Sequence, residues 1–228
     1  MMRPVDKGAA PVAMYANYAT ALPDLEQRLG RYCSYCERYI ATNLAVEHVQ
    51  AKSLVPALAL TWSNFLLACV NCNSCKGHSP VTVADYLWPD CDNTLRAFEY
   101  RTGGVVAPHP ALAAPVRAKA EASAALVGLD RVPGAATPPT QSDLRWLKRF
   151  ETWRKANDAL RRLSQNDTVE LREQIVDTAI ATGLFSIWWT VFAADGNMRA
   201  RLRAAFVGTC SNSFDASGNL QARPGGQL

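Results

Sequence analysis

Cys33-Ser34-Tyr35-Cys36 and Cys69-Val70-Asn71-Cys72 stand 32 residues apart, and the densest chemistry of the 228-residue chain lies around them. A Cys-x-x-Cys turn presents two thiolates to one side. Two such knuckles therefore supply the four sulfurs of a tetrahedral structural zinc site. A site filled by Cys33, Cys36, Cys69 and Cys72 is closed to water, so its role is folding rather than catalysis. The plainer alternatives are ordinary buried thiols or a redox pair. Cys72-Asn73-Ser74-Cys75 overlaps the second knuckle as a third Cys-x-x-Cys, while Cys91 and Cys210 read as free core thiols.

Between the knuckles lie Val46-Glu47-His48-Val49 and Trp62-Ser63-Asn64-Phe65-Leu66-Leu67-Ala68-Cys69; after them comes Cys72-Asn73-Ser74-Cys75-Lys76-Gly77-His78. This order (Cys-x-x-Cys, acidic-His, Asn-x-Leu-x-x-Cys-x-x-Cys-Asn-x-x-Lys-Gly) resembles the zinc-clamped HNH nucleases over residues 31–78. The resemblance implies an α+β fold around a ββα-metal core, in which two short strands and a helix hold one divalent ion. It makes His48 the general base and Asn64 the residue that fixes the loop and orients the histidine. Glu47, where many members have Asp, and Asn73, where others have His, become the ligands of that ion. Cys69 and Cys72 then form the knuckle just before the helix, with Cys75 an extra thiol inside it.

Elementary chemistry agrees with those roles. A neutral imidazole with a pKa of about 6.5 accepts a proton from water at cellular pH. A carboxylate and an amide oxygen suit Mg²⁺ or Mn²⁺ with water still attached, whereas softer zinc prefers thiolates. Each residue also has a plainer reading. His48 could be a core histidine, Asn64 a cap on a helix-like Phe65–Cys69 segment, and Asn73 a surface residue. Lys76 reads as a phosphate contact or a solvated helix lysine. His78 reads as a turn residue before Pro80, or else as a spare ligand or phosphate contact.

Composition sets the frame. Hydrophobic residues make up 49% and charged residues 19%, which excludes a wholly disordered chain. The net charge is +4. Residues 1–100 hold 8 Lys and Arg against 9 Asp and Glu, and residues 101–228 hold 16 against 11, a modest basic bias that fits a polyanion partner. From Thr178 to Ala194 run 17 uncharged residues, interrupted by Gly183. They read as a buried core helix rather than a membrane span. No basic segment followed by an apolar one opens the chain, so the cytoplasm is the expected compartment.

Three units are expected: a nuclease-like unit over 1–105, an Ala/Pro-rich connector with one helix (Ala111–Val127) over 106–140, and a helical unit with a basic surface over 141–228. In the last, Asp143, with Ser142 as rival, would cap a long helix on which Trp146, Phe150, Trp153, Asn157 and Leu160 recur at helical spacing. Arg145, Lys148 and Arg149 on the same helix could hold a phosphate backbone. The plainer reading, favoured for the helix by itself, turns its aromatics to the core and leaves its charges solvated. Further helices are expected over Val169–Ala181, Leu184–Ala194 and Met198–Phe206, then a loosely ordered tail from Gly208.

Asp85-Tyr86-Leu87-Trp88-Pro89-Asp90, a hairpin over Phe98–Val106 turning at Gly103-Gly104, and Leu126-Val127-Gly128-Leu129-Asp130-Arg131 add a second likeness. They look like the HNH components of bacterial anti-phage systems such as the Septu type. That implies a nuclease paired with an ATPase of the ABC/SMC kind. Nucleic acid, DNA ahead of RNA, is the expected target of the nuclease reading as a whole. A non-catalytic zinc-stabilised binding module and an ATPase-docking subunit are the rival readings.

Overall fold

The computed structural model describes residues 2–228. Helix α1 (Leu22–Leu29) carries Pro23 in its first turn and buries Leu25 and Leu29. Two antiparallel strands follow, β1 (Ala45–His48) and β2 (Phe65–Ala68), with Glu47 opposite Leu66 and His48 opposite Phe65. Every residue of β2 is buried, as four apolar residues in a row require of a strand covered on both faces. Phe65–Ala68 is therefore strand, as a ββα core needs, and not the helix-like segment of the plainer reading, so Asn64 caps no helix there. Helix α2 (Val70–Lys76) follows at once, with Cys69 as its N-cap. These three elements form the ββα unit.

The chain continues with α3 (Thr94–Ala97) and a second hairpin, β3 (Phe98–Arg101) and β4 (Val105–Pro108), which turns at Gly103-Gly104 as expected. The C-terminal half is helical: α4 (Ala114–Leu126), α5 (Arg145–Gln165), α6 (Val169–Thr182), α7 (Phe185–Val191) and α8 (Gly196–Ala205). Thr168 caps α6 by accepting from Leu171 N, and Asp195 caps α8 by accepting from Met198 N. Gly104 lets the hairpin turn sit on α5: its φ is +74°, and a Cβ there would come within 2.5 Å of the Trp146 carbonyl. The uncharged run breaks at Gly183 between α6 and α7. Among the described residues no helix is long and apolar enough to cross a membrane.

Helix α5 departs from its expected face. Arg145, Arg149, Thr152, Ala156 and Leu163 are the buried residues; Trp146, Phe150, Trp153 and Leu160 are half-buried, and Leu144 and Asn157 are exposed. The inward face is thus offset by one position, because two arginines and not two aromatics fill its first turns. The helix N-cap is Leu144, without a side-chain cap; Asp143 instead spends its carboxylate mainly on the Arg145 guanidinium.

A single cluster of buried side chains runs from Met2 to Phe214, across the boundaries expected near 105 and 140. The knuckle at Cys33–Cys36 touches the helical half directly. Leu184 N donates to Glu37 O at 2.7 Å, and Ser186 N and Oγ donate to the Glu37 carboxylate at 2.8 and 2.6 Å. Only glycine fits at 183, where a Cβ would lie 2.4 Å from Glu37 O and φ is +71°. The tail is tied down rather than loose. Cys210 N donates to Pro4 O, Asn93 N to Leu228 O, and Gln227 N to Asp92 Oδ1. Cys210 is buried as expected, but Cys91 is exposed.

Candidate active site

The two knuckles converge. The sulfurs of Cys33, Cys36, Cys69 and Cys72 all lie within 4.8 Å of one another, and all four residues are buried. Cys36 Sγ and Cys69 Sγ are 3.7 Å apart, close to the edge of about 3.8 Å that Zn–S bonds of about 2.3 Å give a tetrahedron. The cluster fits a structural zinc. Cys69 at the start of α2 also has the helix dipole in favour of its thiolate.

Four thiolates carry more negative charge than one zinc ion cancels. Two guanidinium groups answer it. Arg38 Nη2 donates to Cys69 Sγ at 3.4 Å, and Arg145 Nη1 donates to Cys72 Sγ at 3.2 Å while its Nη2 reaches Cys75 Sγ at 3.4 Å. Asp143 anchors Arg145 through both oxygens, at 2.8 and 2.7 Å. Arg145 is 1% exposed and cannot reach a nucleic-acid phosphate. Arg149 is buried to the same degree and donates to the carbonyls of Gly104 and Leu129. The expected phosphate contacts at these two positions are therefore replaced by structural ones. Lys148 alone of the three is exposed, beside Glu151 at 2.9 Å.

The ββα unit encloses a second place, a cavity of about 140 Å³ whose lining includes Tyr18, Glu47, His48, Lys52, Asn73, Lys76 and His78. His48 packs edge-on against Tyr18 and Phe65, with ring centroids 5.0 and 5.2 Å away. Its Nε2 is 2.9 Å from Ala59 O. A carbonyl can only accept, so Nε2 carries the proton and Nδ1 keeps the lone pair. Burial, joined by the charges of Lys52 and Lys76, holds the His48 pKa below its usual value despite the Ala59 carbonyl.

Asn64 is buried across the loop joining the two strands. Its Oδ1 accepts from Gln50 N at 2.8 Å, and its Nδ2 donates to Gln50 O and Leu58 O at 3.0 and 3.2 Å. Leu58 immediately precedes Ala59, so one amide side chain ties the residues after His48 to the carbonyl that holds its ring.

Lys76 does not face solvent. It is 1% exposed, with Nζ 2.9 Å from Glu47 Oε1 and donating to His48 O at 2.7 Å. A phosphate contact was expected here; the ammonium instead neutralises the carboxylate beside it. Burial raises the Glu47 pKa, and the Lys76 charge opposes that rise. Asn73 lines the same cavity, and its side-chain amide has no hydrogen-bond partner among the described residues. One carboxylate and one free amide oxygen, with space for water beside them, fit a hard divalent ion such as Mg²⁺ or Mn²⁺.

Three side chains escaped the sequence reading. Lys52 is exposed at the cavity, its Nζ 3.6 Å from the centre of the Tyr18 ring. Tyr18 thus touches both Lys52 and His48, although nothing in the sequence around it signals the contact. Arg38, two residues past the first knuckle, could have been suspected from its position alone. His78 is exposed and pairs with Ser53 Oγ at 3.2 Å.

The family model described as HNH endonuclease matches residues 33–79, about a fifth of the chain. A search among curated proteins finds no match. The matched stretch runs from the first clamp cysteine to three residues past Lys76. It contains both knuckles and every residue of the cavity except Tyr18.

Proposed function

We propose that the chain is a metal-dependent endonuclease that hydrolyses phosphodiester bonds in nucleic acid. The observation that carries the reading is the place of His48: its Nε2 is held 2.9 Å from the Ala59 carbonyl, which leaves Nδ1 free, and it lines one cavity with Glu47 and Asn73. His48 would take the proton of the attacking water at Nδ1 while Ala59 holds the opposite edge of the ring. Asn64 keeps that loop in register. Glu47 and Asn73 would hold the divalent ion, whose chemistry there is to offset charge on the scissile phosphate. Lys52 stands where a phosphate would approach the cavity. The cysteine clamp takes no part in the reaction and fixes α2 against the hairpin.

The narrower reading follows the likeness of Asp85–Asp90, Phe98–Val106 and Leu126–Arg131 to anti-phage HNH components. On it the target is DNA, and an ATPase of the ABC/SMC kind is the partner. The rival, a zinc-stabilised binding or docking module without catalysis, draws support from one contact: Lys76 occupies Glu47 Oε1, where an ion would compete.

Cleavage decides between them. The purified protein is incubated with plasmid DNA and with structured RNA, with and without Mg²⁺ or Mn²⁺, alongside Glu47→Gln and Asn73→Ala. Metal-dependent cleavage that both substitutions reduce, with zinc content unchanged, is the expected result. Intact substrates in every metal would overturn the nuclease reading.

A further inference from the structure

Burial of Arg145, Arg149 and Lys76 removes three of the four cations expected to meet a polyanion. A different pair is poised for an anion. Arg199 and Arg203 stand four residues apart on α8, hence on one face, and both line a cavity of about 300 Å³ closed on the far side by the Ser217–Asn219 turn. Each guanidinium lies over an aromatic ring. Arg199 Cζ is 4.4 Å from the centre of Trp189, and Arg203 Cζ is 5.2 Å from that of Phe214. Stacking fixes each plane and strips water from one side of it.

Neither has an acidic partner within 4 Å among the described residues. Arg199 uses Nε on the Trp189 carbonyl at 3.2 Å, which leaves both Nη groups free; Arg203 makes no side-chain hydrogen bond. The acid on the adjoining turn, Asp215, is occupied by Ser217 N, Asn219 N and Asn219 Nδ2. Both guanidinium groups are half-buried against aromatic rings and face one cavity, with their Nη groups left free to meet an anion that enters it.

We propose that this cavity binds a phosphate-bearing ligand: a nucleotide, free or as one unit of a strand. Two guanidinium forks match a phosphate's oxygens, and the space is at the lower end of the range for small-ligand sites. The site lies on α8 and the C-terminal turn, outside residues 33–79, and the proposal does not depend on the nuclease reading.

Binding is measured by calorimetry without added Mg²⁺ or Mn²⁺, using adenosine monophosphate, adenosine triphosphate and a ten-nucleotide single strand as probes. The variants are Arg203→Gln, Arg199→Gln and the double variant, with zinc content and melting temperature as controls. Arg203→Gln is the safer variant, since it leaves the Trp189 contact intact. A loss of about tenfold or more in affinity for each arginine, with zinc and melting retained, is expected. Arg203→Lys should restore little, because an ammonium lacks the fork. Mononucleotide binding lost in the variants identifies a free-ligand site, and strand binding lost without mononucleotide binding identifies a backbone contact. If no probe binds the wild type, or all bind the double variant equally well, the proposal is overturned.

Discussion

The cysteine cluster and the Glu47 cavity are both built on the ββα unit, and each receives one buried cation from outside its ligand set. At the cluster, Arg145 approaches from α5 and donates to sulfur, so its charge adds to that of a zinc ion in balancing four thiolates. In the cavity, Lys76 approaches from within α2 and pairs with the carboxylate an ion would use. The first cation would strengthen zinc binding, whereas the second would compete with the proposed divalent ion. One site is thereby closed and permanent. The other is a carboxylate already half-neutralised, suited to an ion held weakly and shared with water and substrate.

The largest expected effect breaks the closed site. Cys72→Ser should abolish zinc retention and, with it, cooperative folding at ordinary temperatures, because binding of a structural zinc is folding free energy. Elemental analysis and circular dichroism check this, and a folded, zinc-free protein would contradict it.

His48→Ala tests the open site in isolation. Turnover should fall by roughly 10²–10⁴-fold while zinc content and binding of uncut duplex persist. Since the His48 pKa is held below 6.5, the wild-type rate should stay flat on acidification through 6.5 and decline only at lower pH, as imidazolium replaces the base. A single-turnover pH profile that breaks above 6.5 would speak against this assignment.

Arg145→Leu sharpens the contrast between the two cations. Zinc affinity should drop about 10–100-fold, as for other partners of metal ligands. The residue left behind, Asp143, becomes a buried carboxylate without its cation. Competition with a chelator measures the loss, and unchanged zinc retention would remove Arg145 from the clamp. Lys76→Met should instead leave zinc in place and destabilise the fold by about 3–5 kcal/mol, the usual consequence of stranding a buried charge. Denaturant titration reads that difference. Smallest of all is Lys148→Ala: its exposed pair with Glu151 is worth at most about 1 kcal/mol, and melting should barely move.

Much of this was legible in the sequence because short-range spacing encodes it. Two Cys-x-x-Cys turns, the Glu47-His48 pair and Asn64 lie within one unit whose geometry is nearly local. The Gly103-Gly104 turn and the helices of the second half were likewise readable from punctuation and period. What escaped is the destination of long cations. Periodicity on α5 weighs aromatics as inward and arginines as outward, and has no means of foreseeing thiolates that arrive from 73 positions upstream in the chain. Lys76 misled for the same reason: a helix lysine beside a nuclease motif looks like a phosphate contact until a buried glutamate is placed next to it. The connector reads as Ala/Pro-rich linker in composition, and composition alone does not reveal that Ala120, Ala124, Val127 and Leu129 pack into the common core.

The contact between Glu37 and Ser186 has a consequence for synthesis. These residues are 149 positions apart, so the ribosome must make most of the chain after the first knuckle before its supporting wall exists. Contacts of such separation close late. A nascent chain holding only the cysteines and the histidine would lack the helices that brace the first knuckle, and its scaffold would stay unfinished until the last quarter of the chain is made.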